Sequence, residues 1–158
     1  MSSLLVDTSF LITLADTTRP NHLVAKQYFQ ECLQRAIPLY LSAIVVSEFQ
    51  VKQAINDLPL RNFVTLPFNF DHGMKAGLMM RTFERDGNDD RGAVKDDIKL
   101  IAQAVCESAT HILTEDGNTL AKYLERLRLA GHCDVRAILL SQGFDAAWLN
   151  NGQTTIPL

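Results

Sequence analysis

The chain is short of cysteine, carries no excess of positive charge and contains no apolar run of membrane-spanning length, and each shortage removes a class of protein. Its three cysteines, Cys32, Cys106 and Cys133, are an odd number with no C-x-x-C pairing. Neither a disulfide framework nor a thiolate zinc site follows, and all three read as small core hydrophobes in a reducing compartment, which makes a cytoplasmic location the expectation. The apolar start Leu4–Val6 breaks at Asp7 and follows no basic segment, so no targeting sequence and no membrane anchor is expected. A net charge of −3 argues against a protein that binds nucleic acid by bulk phosphate attraction. That objection weakens if several carboxylates are neutralised by metal, because the remaining balance is then slightly positive.

Familiar catalytic signatures are also missing. There is no G-x-S-x-G elbow, no G-x-x-x-x-G-K phosphate loop and no G-x-G-x-x-G after a strand, which disfavours serine hydrolases, nucleotide hydrolases and dinucleotide enzymes. His22, His72, His111 and His132 lack metal-ligand spacing and read as surface or core histidines. Asp86 to Asp90 resembles the start of a calcium loop, but Arg91 stands where an EF-hand needs glycine. Asp57 does not follow a buried strand, which disfavours a phosphoacceptor receiver domain.

What is present is an ordinary globular composition, 47% hydrophobic and 21% charged over 158 residues, enough to bury one core and to expect a single domain over 1–158. Leu4–Val6 reads as a strand buried on both faces, with Asp7 at its carboxyl end. Residues 22–36 have helical periodicity through Leu23, Tyr28, Cys32, Leu33 and Ala36, with Asn21 as the expected cap. Pro38–Leu41 is a second strand, and Ser42 caps a helix whose second turn carries Glu48. Phe63–Phe68, with Pro67, reads as an edge strand and Asp71–Phe83 as a helix. Residues 84–95 read as a solvated loop, followed by a helix from about Asp96 to Ser108 with Asp96 and Asp97 in its first turn, favoured there by the helix dipole. His111–Thr114 is a strand that ends at Glu115-Asp116, and Thr119–Ala130 is a helix buried through Leu120, Tyr123, Leu124 and Leu127. Beyond Gly131, residues 135–140 are open between strand and helix, and 145–150 form at most a short helix.

The alternation of strand and helix predicts an α/β fold, a central mostly parallel sheet flanked by helices, with ligand sites beyond the carboxyl ends of the strands. Asp7 and Asp116 both belong to that edge, while Glu48 and Asp97 interrupt helical segments. Carboxylates gathered at one edge repel one another unless a cation compensates them, and hard oxygen ligands favour magnesium or manganese. A cation so held can activate water for attack on a phosphodiester.

Leu4-Leu5-Val6-Asp7-Thr8-Ser9, Ser47-Glu48-Phe49, Asp97-Ile98-Lys99 and Thr114-Glu115-Asp116 together resemble, in order and spacing, the acidic motifs of the PIN-domain family, most clearly over residues 3–130. The resemblance implies a PIN-like fold and a Mg²⁺- or Mn²⁺-dependent endoribonuclease, similar to the VapC-type toxins that pair with a small antitoxin and form homodimers. It makes Asp7, Glu48, Asp97 and Asp116 the expected metal ligands and catalytic residues. The third acid sits one position earlier than in many VapC-like chains, where this sequence has Ile98, which leaves Asp96 as a substitute ligand. A non-catalytic RNA- or protein-binding module and an RNA-processing nuclease without an antitoxin are the alternatives. Thr8, Ser9 and Thr114 are expected either to orient carboxylates or phosphate or to make local turn bonds. Lys52 reads as helix support for Glu48 before it reads as a phosphate contact. Arg81, Arg85, Arg91, Lys95 and Lys99 read either as phosphate contacts or as a solvated loop.

Overall fold

Three apolar residues with no polar alternation need cover on both faces and both edges, and Leu4–Val6 has all of it. This strand, β1, is fully buried and pairs in parallel with β2 (Leu39–Ser42) on one side and β4 (His111–Thr114) on the other. The computed structural model describes residues 1–83, 87 and 89–150. Five strands lie in the order β3-β2-β1-β4-β5, all parallel, with β3 (Val64–Leu66) and β5 (Arg136–Leu139) as the edges. The ambiguous stretch 135–140 is therefore strand over four residues, and Phe63–Phe68 contributes the edge strand its proline implied.

The connections are helical, as parallel pairing requires. They are α1 (Thr8–Ala15) and α2 (His22–Gln34) after β1, α3 (Ala43–Gln50) after β2, α4 (Phe70–Thr82) and α5 (Arg91–Cys106) after β3, and α6 (Leu120–Leu129) after β4. Ala146–Asn150 forms only a 3₁₀ turn. From β1 the chain moves outward through β2 to β3, then crosses back to place β4 on the other side of β1. The strand order thus reverses beside β1, where open α/β sheets form their ligand crevices.

Several local expectations need correction. Leu23 and Leu33 of α2 are exposed, and its inward face is Ala25, Tyr28 and Cys32. Asn21 makes no side-chain cap to α2; its amide donates instead to Glu115 Oε1 at 2.9 Å. Helix α1 occupies residues that the sequence reading leaves unassigned after Asp7, which ends the strand as expected and caps the helix, accepting from the Phe10 amide at 2.8 Å.

The largest correction concerns α5, which begins five residues before the expected start. Asp90 is its N-cap, accepting from the amides of Gly92 at 2.7 Å and Ala93 at 3.3 Å. Asp96 and Asp97 consequently lie in the second turn, where the helix-dipole argument no longer applies. The neighbouring Asp89 fastens this start to α6 through Lys122 at 3.1 Å and Arg126 at 3.0 Å. The calcium-like stretch lies partly outside the described residues, and its described part serves these caps and ion pairs. Cys106 is exposed, whereas Cys32 and Cys133 are buried as expected. No helix among the described residues is long and apolar enough to cross a membrane.

Candidate active site

Two strand ends and two helices bring the predicted carboxylates to the crevice beside β1. Asp7 follows β1 directly and is buried. Its carboxylate accepts from Ser9 Oγ at 2.8 Å, from the Phe10 amide and from the Thr114 hydroxyl. Thr114, the fully buried last residue of β4, also accepts from the Asp116 amide at 2.9 Å. Ser9 and Thr114 therefore hold the β1 and β4 ends together through one carboxylate. Burial raises the Asp7 carboxyl to about 6 despite these bonds, with a smaller push from the Asp116 charge.

Asp116 sits in the turn before α6, where Oδ1 accepts from the amides of Asn118 at 3.0 Å and Thr119 at 2.9 Å, and Oδ2 accepts from the Thr119 hydroxyl. Thr119 is a residue the sequence reading missed; its signal is the Asp-x-x-Thr spacing just ahead of an apolar run, which is capping chemistry. Glu48 projects from the second turn of α3, and its Oε2 accepts from the Thr8 hydroxyl at 2.8 Å. Helix α3 ends at Gln50, so Lys52 lies beyond it and makes no ion pair with Glu48, contrary to the helix-support reading.

Asp97, unlike Asp7 and Asp116, has no capping duty to account for it. Burial raises its carboxyl to about 7, and the charges of Asp116, Asp7 and Glu48 push it further up against an opposing Thr119 hydroxyl. Its Oδ2 is buried without a hydrogen-bond partner, an arrangement that costs about 1–3 kcal/mol, more for a charged group. Asp96 is exposed, 58% at its side chain, and lies 3.8 Å from Lys99. Of the two adjacent acids, the structure therefore turns Asp97 toward the other carboxylates and Asp96 to solvent. Arg81, Arg91 and Lys95 are also exposed, and Arg85 lies outside the described residues.

A second network, also missed in the sequence, borders the site. Glu115 accepts from Thr13 Oγ1 at 2.5 Å, from Asn21 and from Arg19 Nη2 at 3.2 Å, while its amide donates to Ser9 Oγ at 2.8 Å. Burial pushes the Glu115 carboxyl up, but the hydroxyl, the amide and the arginine together outweigh it and hold it below the usual range. Glu115 thus points away from the crevice and ties α1 and the following loop to the end of β4.

The donor set is entirely oxygen and anionic, which suits a hard divalent cation. Asp97 Oδ2, buried among like charges, is the atom that such a cation would satisfy. Among the described residues no three acidic, histidine or cysteine side chains already meet at metal-ligand spacing. The four carboxylates are coupled through their fields without converging on a common point.

A parallel α/β sheet in this order, flanked by these helices, is the fold of a PIN domain, and the comparisons with known proteins agree. No family model matches the sequence, and no curated protein matches it in sequence. Solved structures do match in fold. VapBC2 from Rickettsia felis, bound to a DNA fragment from its promoter, is 14% identical with a TM-score of 0.57, over 86% of this chain and 97% of that one. VapC20 from Mycobacterium tuberculosis, a toxin that cleaves the sarcin-ricin loop, is 20% identical with a TM-score of 0.54, over 85% of this chain and 99% of that one. DNA-bound VapBC from Salmonella typhimurium is 14% identical with a TM-score of 0.54, over 89% of this chain and 99% of that one.

Proposed function

We propose that this protein is a Mg²⁺- or Mn²⁺-dependent endoribonuclease that hydrolyses RNA phosphodiester bonds and acts as the toxin of a toxin–antitoxin pair. The unpartnered, buried Oδ2 of Asp97, set in the field of Asp7, Glu48 and Asp116, carries the reading. Such an atom is costly in a purely structural carboxylate and becomes favourable when it faces a cation.

Asp7, Glu48, Asp97 and Asp116 would hold the metal. When bound, the ion supplies an activated water and offsets charge at the phosphate under attack. The chain's own contribution is orientation. Ser9 and Thr114 fix Asp7, Thr8 fixes Glu48 and Thr119 fixes Asp116, each by donating to the carboxylate it steers. At Asp7 these bonds oppose the effect of burial on the carboxyl.

The toxin assignment rests on the fold shared with VapC20 and with two VapBC assemblies, which also makes a small antitoxin the partner to expect. Homodimerisation is supported by an exposed apolar stripe on α4, where Phe70, Met74 and Leu78 recur at one-turn spacing and are 80%, 57% and 56% exposed. The deciding experiment is manganese-dependent cleavage of single-stranded and structured RNA by wild type and by Asp7→Asn, with both shown to be folded. We expect wild-type cleavage and at least a hundredfold loss in the variant. Equal activity in both, or none in wild type with any RNA or either metal, would sink the nuclease reading.

A further inference from the structure

Thr119 stands at the N-cap of α6, where a threonine hydroxyl ordinarily accepts a hydrogen bond from an amide of the first turn. Here the side chain makes no such bond, and the backbone, at φ −121° and ψ −78°, is not in the extended conformation of a capping residue. The hydroxyl is turned to acids instead. It donates to Asp116 Oδ2, and it lies beside the Asp97 carboxyl, where it opposes the rise that burial imposes. One hydroxyl thus meets two carboxylates from different elements, one on α5 and one in the turn after β4.

We propose that Thr119 is a positioning residue for the cation, its hydroxyl holding Asp97 of α5 in register with Asp116 at the end of β4. The inference rests on the metal-dependent reading above and concerns Asp97 more than Asp116. Asp116 keeps its place without the hydroxyl, because Oδ1 accepts from the amides of Asn118 at 3.0 Å and Thr119 at 2.9 Å. Neither amide is lost when the Thr119 side chain changes. Asp97 has no comparable support. Its Oδ2 is buried without a partner, and the Thr119 hydroxyl is the neutral donor set against the combined push of Asp116, Asp7 and Glu48. Like charges on two separate elements move apart unless something holds them, and a donor that meets both opposes the separation. A hydroxyl has one proton to give. Asp116 Oδ2 takes it, which leaves Asp97 Oδ2 as the oxygen still to be satisfied. A cation would then meet two carboxylates already held near each other, so part of its site is assembled before it binds. A threonine serving the helix alone would make the capping bond that is missing here.

The test titrates manganese chloride alone into the full-length protein by isothermal titration calorimetry. Circular dichroism and the melting temperature in chelator show whether each variant is folded, and Thr119→Ala replaces Thr119→Val if the latter is not. Thr119→Val keeps the shape and removes the hydroxyl, and should weaken manganese binding about tenfold, the usual effect of losing a group that orients a metal ligand. Thr119→Ser restores the hydroxyl and should bind close to wild type. Affinity is the readout that a purely structural threonine would not move. A Thr119→Val protein that melts lower in chelator yet binds manganese as tightly as wild type would overturn the positioning role. So would a Thr119→Ser protein that binds as weakly as Thr119→Val, since the methyl group and not the hydroxyl would then matter. Wild type that binds no manganese would end the metal reading and this inference together, whereas manganese binding untouched by Thr119→Val would end this inference alone.

Discussion

At the residue scale, Asp97 shows how a site is built at the expense of the fold. A carboxylate in the field of three others, with a buried oxygen that no hydrogen bond satisfies, opposes folding, and the proposed cation would relieve it. Asp97→Asn should therefore raise the melting temperature by several degrees at pH 8 in chelator, and abolish the further rise that manganese gives the wild type. Differential scanning fluorimetry with and without metal checks both halves; a variant that melts lower in chelator and still gains from manganese would contradict the assignment. His111 offers an independent residue-level measurement at the opposite end of β4. Burial, with help from the Arg136 charge, lowers its imidazole to about 4, so the folded state holds it neutral against Thr110 Oγ1 and the edge of Trp148. The unfolded value lies near 6.5. Its contribution to stability is thus intact above pH 6.5 and lost as pH falls toward 4, at most roughly 3 kcal/mol. Chemical denaturation at pH 7 and pH 4.5 should show a smaller acid loss in His111→Phe than in wild type.

The four acids themselves were legible in the sequence because each interrupts an apolar segment or its end. Which of Asp96 and Asp97 faces inward was not legible. That depends on the rotation of α5 about its axis, and the rotation is set by Val94, Ile98 and Ile101 packing into the core. The supporting hydroxyls were only half legible, since a threonine looks the same in sequence whether it serves a carboxylate two residues away, as Thr18 does for Asp16, or one 40 residues away, as Thr8 does for Glu48.

At the element scale, α5 carries the clearest discrepancy between sequence and structure. Its first turn is Arg91, Gly92 and Ala93 behind an Asp-rich stretch, a composition that reads as loop, yet Asp90 supplies two amide bonds and Asp89 an ion-paired anchor to α6. Capping and a tertiary tie overrode the local composition. Asp90→Ala should cost about 1 kcal/mol, measured by urea denaturation, and should reduce manganese affinity modestly by loosening the turn that leads to Asp97. Helix α1 was hidden for the opposite reason. Phe10, Leu11, Ile12 and Leu14 crowd it with apolar residues, so no helical periodicity stands out in the residues after Asp7.

At the scale of the whole molecule, the parallel sheet was legible from the alternation of short apolar runs and amphipathic segments. The strand order was not, because β1 to β2 and β4 to β5 have equally plausible neighbours until helices of particular lengths are packed over them. The α4 stripe belongs to this scale, since a chain leaves Phe70, Met74 and Leu78 in water only at a cost in solubility. Leu78→Glu should shift the species seen by analytical ultracentrifugation from dimer to monomer while leaving the circular dichroism spectrum unchanged. A wild type that sediments as monomer at all concentrations would remove the dimer from the proposal.

The central position of β1 also governs when the site can exist. Leu4 must wait for Leu39 on one side and for His111 on the other, so the strand made first is not enclosed until β4 has been made. Until β4 and the turn that holds Asp116 have emerged from the ribosome, Asp7 lacks Thr114 and the cluster lacks its fourth acid. A chain still attached to the ribosome and short of that point has no assembled cluster, so a cell making this protein meets the finished site only after most of the sequence has been translated.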